Sequence, residues 1–573
     1  MGVAPLERQM SLSPGLLAAG GRGLGSPEAA WRPGRGRNAT APKELHPAET
    51  DIPHGHDRPG AETVPLFDNL GDHSHPVSTS SALAQRYFDQ GLRLIYAFNH
   101  DEARRAFEKA ARLDPDLAMA HWGVALALGP NINAPLTPAR ERAAARAIKR
   151  AMAALESASD AERDYIHALA VRYQAGPGDR RERDQAYAEA MRGLAAAYPD
   201  DLDAATLYAE ALMDLRPWRL WTPAGEPEPG TLEIVATLES VLDRDPDHPG
   251  ANHYHIHAVE ASPHPERALP SAERLGDLVP GAGHLVHMPS HIFMRLGRYA
   301  EASDANARAA AADREYLALA RPEGIYPMMY VPHNLHFLAV SAAFEGRRAV
   351  SLRAAREAAA AAPDAMVEHM PMLESFRAAP VLSMVRFGAW EEVLAEPSPP
   401  VEQRYAVAAH QWARSVALAR LGRVEEARRE QACFEALRAE VPETLTLVGN
   451  NPAPRVLDVA SRYLEGEMAL AGGDLDGALI ALHGAAEAED ALAYGEPPDW
   501  PLPARHPLAA ALLEAGRAAE AERVVREDLL RYPENGWALS LLEESLRREG
   551  RPAEADQARA RLERAFVRAR RGS

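Results

Sequence analysis

The sequence predicts an all-α protein, an α-solenoid of about ten to twelve stacked helix pairs. From Ala82 onward the chain is rich in Ala, Leu, Glu and Arg, the strong helix formers, and β-branched runs are scarce. A Gly-Arg turn followed by a helix start returns as GRYAEA (Gly297 to Ala302), GRRAVS (Gly346 to Ser351), GRVEEA (Gly422 to Ala427), GRAAEA (Gly516 to Ala521) and GRPAEA (Gly550 to Ala555). Prolines close the helices with the same period: Pro246 ends one unit and Pro280 the next.

Residues 1–65 read as a disordered arm, rich in Pro, Gly, Arg and His without apolar periodicity, and the polar character persists to about residue 80. The GGRGLG string near Gly21 has no strand before it and no helix pattern after it, so it is not a phosphate loop. The first helix pair is QRYFDQGLRLIYAFNHDEARRAFEKAARLDP. In it, small residues (Gly91, Ala103) let the two helices approach, Phe107 and Ala110 fill the seam to the next pair, and Pro115 ends the second helix. These spacings resemble the tetratricopeptide repeat (TPR), a two-helix unit of 34 residues. The resemblance implies a right-handed superhelix with a concave groove lined by the first helix of each unit. Residues 66–365 form the N-terminal and central solenoid and residues 366–570 a C-terminal one. Insertions at 216–230 and 317–331 interrupt the period and map to loops of the kind that cover a binding groove. Trp218 and Trp221 read as anchors of the first insertion, and Cys433 as a small core residue.

Several strings also resemble a group of uncharacterised bacterial TPR proteins: FDNLGDHSHPVSTSS, FNHDEARRAF, AHWGVALALGPNINAP, HMPSHIFMRLGRY, YVPHNLHF and EPPDWPLPARHPL. The resemblance spans most of the chain and implies no particular activity. It opens a second reading of the arm. His73 and His75, like His54 and His56, read by composition as a solvated tail, but FDNLGDHSHPVSTSS then becomes a segment docked on the first repeat.

Charge narrows the function. The 573 residues carry 63 basic and 82 acidic side chains, a net charge of -19. That disfavours nucleic acid, whose binding needs phosphate neutralisation, and an anionic membrane surface. No apolar run approaches the roughly 20 residues of a membrane helix, and the opening residues make a poor secretory signal. One cysteine excludes an intrachain disulfide and a cysteine-based zinc finger. A cytoplasmic protein is the simplest expectation.

The chemistry lies in seven histidines: His253, His257, His284, His287, His291, His333 and His336. Counted from unit starts at Pro249, Gly283 and Pro332, they fall at positions 2, 5 and 9, one face of a helix. By the TPR resemblance that face lines the groove, so all seven are expected in one cavity. His253 with His257, and His287 with His291, are i, i+4 pairs, the spacing with which two helical imidazoles chelate one ion. Helices about 8–10 Å apart let neighbouring units share an ion. Imidazole ligation without thiolate suits copper, iron, zinc or nickel, with copper, iron or zinc the expected cofactor. Met288, Met294, Met328 and Met329 favour copper slightly, although each is also a core candidate. Glu260, Asp313, Glu315 or Glu323 supplies a possible carboxylate, and Tyr326 and Tyr330 a possible cap. Seven imidazoles exceed one ion's need, so either two ions bind or some histidines orient ligands and move protons. Pro289 is the weak point, since a helix starting there loosens the placement of His284 and His287. His255 falls off the groove face, His264 in a turn, and His100 and His121 without partners.

Three functions follow. The first is a metal-dependent enzyme, an oxidoreductase acting on a small molecule or peptide in the groove. The second is a non-enzymatic scaffold for a protein partner. The third is a metal-handling protein; a histidine pH switch ranks below all three.

Overall fold

The computed structural model describes residues 64–173, 179–322 and 324–570, all within one compact unit spanning His54–Ser573. The arm up to residue 63, with His54 and His56, and Glu323 lie outside the described residues. Among the described residues the regular structure is helical, with only isolated bridges such as Asn131 with Ala134. None of the helices among the described residues is long and apolar enough to cross a membrane.

Helix pairs run from Ala82–Tyr96 with His100–Leu113 to Gly536–Arg548 with Pro552–Ala565, within the ten to twelve pairs expected. Each Gly-Arg turn works in the same way. Gly297 takes φ +72, its N–H bonds the Met294 carbonyl (3.1 Å), and the Arg298 N–H bonds the Phe293 carbonyl (2.8 Å). This left-handed cap closes the first helix and aims the chain back for the second. Between helices, Phe107 is fully buried against Gly91 and Gly123, where a methyl group would overlap its ring. Cys433 departs from expectation. It is exposed, and its neighbour Phe434 takes the buried position of that helix instead.

The segment before the first helix is a strap laid across the repeats. Its backbone at Phe67 donates to Gln90 (2.8 Å), the carbonyl of Asn69 accepts from Gly281 (2.7 Å), and Ser78 donates to Glu162. The solvated-tail reading of His73 and His75 is therefore corrected. Both are half-buried on one carboxylate, with His73 Nε2 at 2.9 Å and His75 Nδ1 at 2.8 Å from Asp203. A polar sequence reads as tail only when nothing buried awaits its donors. Here Asp203 and Glu162 do.

This latch has a definite pH dependence. Burial alone would lower the His75 pKa, but the Asp203 bond and charge outweigh it and raise it above 6.5. Burial pushes Asp203 up, and bonds from His248, His73 and His75 hold it well below 3.8. The His75 contribution is thus complete below pH 6.5 and is lost as pH rises through its raised value. That of Asp203 is complete above 3.8 and lost only in acid. A His75→Ala change should cost about 1.5–3 kcal/mol at pH 6 and clearly less at pH 8.5. A gap in melting temperature between variant and wild type that stays constant across this range would show that the bond carries no charge.

Candidate metal centre

Six of the seven histidines meet in two triads. His253 and His257 come from the Pro249–Val259 helix, and His284 from the short Gly283–His287 helix; their ligand atoms lie within 4.8 Å of one another. His287 from that short helix, His291 from Pro289–Arg295 and His333 from Val331–Phe344 form the second triad under the same limit. Pro289 does break the helix, at Met288, but the chain continues in nearly the same direction. His287 and His291 therefore stay together, Nε2 to Nε2 at 2.9 Å. The triads adjoin, with ring centroids 5.7 Å apart for both His284–His287 and His257–His291.

Hydrogen bonds fix which nitrogen is bare on four of the six rings. His253 Nδ1 is 2.6 Å from the Tyr96 carbonyl, which can only accept, so Nδ1 carries the proton. His257 and His291 donate Nδ1–H to the two oxygens of Glu260, at 2.7 and 2.5 Å. His287 donates Nδ1–H to Asn306 Oδ1 (2.6 Å), whose amide nitrogen is spent on the Ala302 carbonyl. On these four rings the proton points outward and Nε2 inward. In the first triad, His253 Nε2, His257 Nε2 and both nitrogens of His284 are buried without a partner. In the second, His287 Nε2 lies 2.9 Å from His291 Nε2 and 3.1 Å from His333 Nε2. Two such lone pairs repel unless a proton or a cation lies between them.

Electrostatics agree with the bonds. Burial first, then neighbouring histidines, hold His253, His284, His287 and His333 well below 6.5. Burial also lowers His257, against the pull of Glu260. Burial alone would raise Glu260, but His291 and His257 keep its carboxylate ionised far into acid. Neutral imidazoles oriented through Nδ1 by a carboxylate or carbonyl are the usual form of protein metal ligands. Ligands 2.0–2.1 Å from a tetrahedral ion sit roughly 3.3–3.4 Å from one another, close to the spacings of the second triad. The residues therefore fit an ion in each triad.

Two further groups of potential ligands gather on Asp203, and the same test excludes them. His248 Nδ1 accepts from the Ala251 N–H, so its Nε2 carries the proton and gives it to Asp203. His73 and His75 likewise point donors at this carboxylate, which also accepts from the Tyr96 hydroxyl. Protons converge there, not lone pairs.

The other expected residues fall as follows. His336 joins neither triad; its ring packs on Phe376 (5.6 Å) and burial lowers its pKa to about 4. Glu260 orients both triads through Nδ1. Asp313 accepts from Tyr326 and Asn334 at 2.9 and 2.7 Å, and the Tyr326 hydroxyl accepts the His284 N–H. Glu315 is exposed. Tyr330 stands over His284 at 4.7 Å. Met288 and Met294 are core residues, while Met329 lines a cavity. Trp221 anchors its loop on the Ala258 carbonyl (2.8 Å), but Trp218 reaches the site, edge-on to His257 at 5.5 Å.

Sequence reasoning missed Phe98. It occupies the glycine place of the repeated turn, FNHDEA against GRYAEA, and takes φ +53 there. Its ring lies 4.5 Å from His253 and stacks on His257 (5.8 Å) and His284 (5.6 Å). A bulky residue in the left-handed region costs on the order of 1–3 kcal/mol and marks functional sites. A non-glycine at that turn position was the available signal. Also missed were Tyr494, whose hydroxyl is 3.3 Å from Glu260, and Glu496, whose buried carboxyl lines the cavity.

The cavity, of about 490 Å³, opens on His257, His284, His291 and His333. No family model and no curated protein matches the chain. Its fold is similar to that of Cut9 in the APC/C hetero-tetramer Cut9-Hcn1, with 13% identity over 81% of this chain and 76% of that one and a TM-score of 0.30. Human IFIT1 in a dimer with m7Gppp-AAAA gives 13% identity, 78% and 90% coverage and a TM-score of 0.33. Yeast Tom70 gives 12%, 86% and 92%, and 0.28. At such identities and scores, function has to be read from this chain's own residues.

His284 separates a metal centre from ordinary core packing. With both nitrogens unpartnered, it should destabilise the metal-free protein, so His284→Leu should raise metal-free stability by about 1–3 kcal/mol while weakening metal binding. The metal-free protein should also lose stability as pH falls from 7 to 5, because the unfolded chain takes up protons below 6.5 that these lowered histidines refuse. The Leu variant should lose less. A Leu variant that is less stable without metal would make His284 a packing residue.

Proposed function

We propose that the protein is a metal-dependent oxidoreductase, with an ion in each histidine triad and a small molecule bound in the adjoining cavity. The observation that carries this reading is the convergence of bare Nε2 atoms on four rings whose Nδ1 protons are held outward, with His284 buried beside them without a partner at either nitrogen. Each unpartnered buried nitrogen costs on the order of 1–3 kcal/mol, and a coordinated ion removes that cost. Three protein ligands per ion leave a position for substrate, as in catalytic sites. Ligation by neutral imidazoles suits copper, iron or zinc, and the first two supply electron-transfer chemistry when bound. Glu260 keeps one histidine of each triad in the binding tautomer, and burial lowers the pKa of His253, His257, His284, His287 and His333, which favours the neutral, ligating form.

Metal analysis of untagged protein lacking residues 1–63, reconstituted separately with copper, iron and zinc, tests this. Wild type should hold two equivalents. His253→Ala/His257→Ala and His287→Ala/His291→Ala should each hold one. Copper- or iron-loaded protein should cycle on dithionite and air in its paramagnetic resonance spectrum. Binding without cycling would leave a metal-handling protein. Less than about a tenth of an equivalent, against the tight binding such sites give, would leave a helix-repeat scaffold for a protein partner.

A further inference from the structure

The walls of the cavity indicate what enters it. We propose that it binds a neutral aromatic ligand, ring held between Trp218 and Tyr330, with an oxygen or nitrogen substituent turned toward the triads. This rests on the metal reading and adds a substrate class to it.

One amide sets the two rings. The Trp218 indole N–H donates to Asn133 Oδ1 (3.1 Å), and since the indole can only donate, the amide orientation is fixed. Asn133 Nδ2 then donates to the Tyr330 hydroxyl (3.3 Å). The Asn133 N–H is itself held by Asn131 Oδ1 (2.8 Å). Trp218 takes φ +59 to reach this place, a strain that the surroundings must hold. Both rings also touch the metal ligands: Trp218 stands edge-on to His257 at 5.5 Å, and Tyr330 to His284 at 4.7 Å. A flat ring entering beside them meets aromatic surfaces already oriented, and its substituent meets the open side of the histidines.

Size and charge narrow the class. A cavity of about 490 Å³ falls in the range of small-molecule sites, roughly 300–1,000 Å³. Met329, Met372 and Val448 complete an apolar wall. An extended peptide would bring a polar amide about every 3.3 Å against that wall. The protein wall itself disfavours an anion, since its Arg180 is paired with Asp184 (2.6 Å) and Glu141 (3.6 Å), Asp214 is engaged by Arg172 (2.7 Å), and the buried Glu496 carboxyl faces the same space. A full positive charge would sit beside two bound cations.

Zinc-loaded protein, which cannot oxidise its ligand, is titrated by calorimetry with phenol, cyclohexanol, benzoate and benzylamine, and metal content is measured on the same sample. Phenol should bind about tenfold tighter than each of the others, the scale of one or two aromatic contacts. Asn133→Ala and Trp218→Ala should each weaken phenol about fivefold or more with two equivalents of zinc retained. Cyclohexanol, benzoate or benzylamine binding as tightly as phenol overturns the inference while leaving the metal reading intact. So does phenol binding unchanged in both variants. A wild type without zinc fails the metal reading, and the ligand ranking on that sample still decides this one.

Discussion

Glu260 is the constraint on which the centre depends. Its carboxylate is almost fully buried at the end of the Pro249–Val259 helix and receives one Nδ1–H from each triad. A buried charge this far from water is tolerated only when its hydrogen bonds are complete. Tyr494 brings a third donor from the C-terminal repeats, and Arg295 bonds the Glu260 backbone carbonyl at 2.7 Å. The same carboxylate that needs these donors decides their tautomer. By taking the Nδ1 protons of His257 and His291 it turns their Nε2 atoms inward, and the two triads share one orienting group.

The left-handed turn residue of the repeat is glycine at most turns and phenylalanine at one turn beside the first triad. At Gly297, Gly346, Gly422, Gly516 and Gly550 the left-handed turn residue is glycine, as sterics prefer. Phe98 holds the same conformation with a ring buried against the first triad, and Trp218 and Asn450 hold it at the cavity. Stacking alone gives no reason for a large side chain in a turn that glycine serves elsewhere. Of the five non-glycine residues at positive φ among the described residues, Trp218 and Asn450 line the cavity and Phe98 packs on the first triad, while Arg321 and Glu534 are not among the lining residues.

Much of this was legible in the sequence, for reasons that can be stated residue by residue. Helix pairs follow from composition and a period, both local properties. The i, i+4 spacing of His253 with His257 and His287 with His291 is also local, so the pairing of rings survived the break at Met288. What escaped depends on contacts between distant segments. Glu260 could be named as a carboxylate but not placed on Nδ1. Tyr494 lies 234 residues away along the chain. His336 repeats the spacing of the others, yet faces Phe376, because helix phase alone does not say which neighbour a side chain meets. His73 and His75 looked like tail because their partner, Asp203, is fixed only by the stacking of a later repeat.

That strap and the centre share a residue. Tyr96 gives its hydroxyl to Asp203, where His73 and His75 of the strap also bond, and its carbonyl receives the Nδ1–H of His253. Tyr96 also packs at 6.0 Å on Tyr254, the residue after His253, and stands where a side chain on Gly250 would collide with it. The tyrosine is thus clamped at both ends. Asp203 sits on the Leu202–Met213 helix and is held by His248 as well as by the strap histidines, and Tyr96 adjoins the turn that holds Phe98 at φ +53. While His257 takes its tautomer from Glu260, His253 of the first triad takes it from the Tyr96 carbonyl and packs on the Phe98 ring. The second triad, anchored on Asn306 and Glu260, depends on neither. The two halves of the centre therefore differ in what holds them: one rests on the repeats alone, the other on the repeats and the strap together.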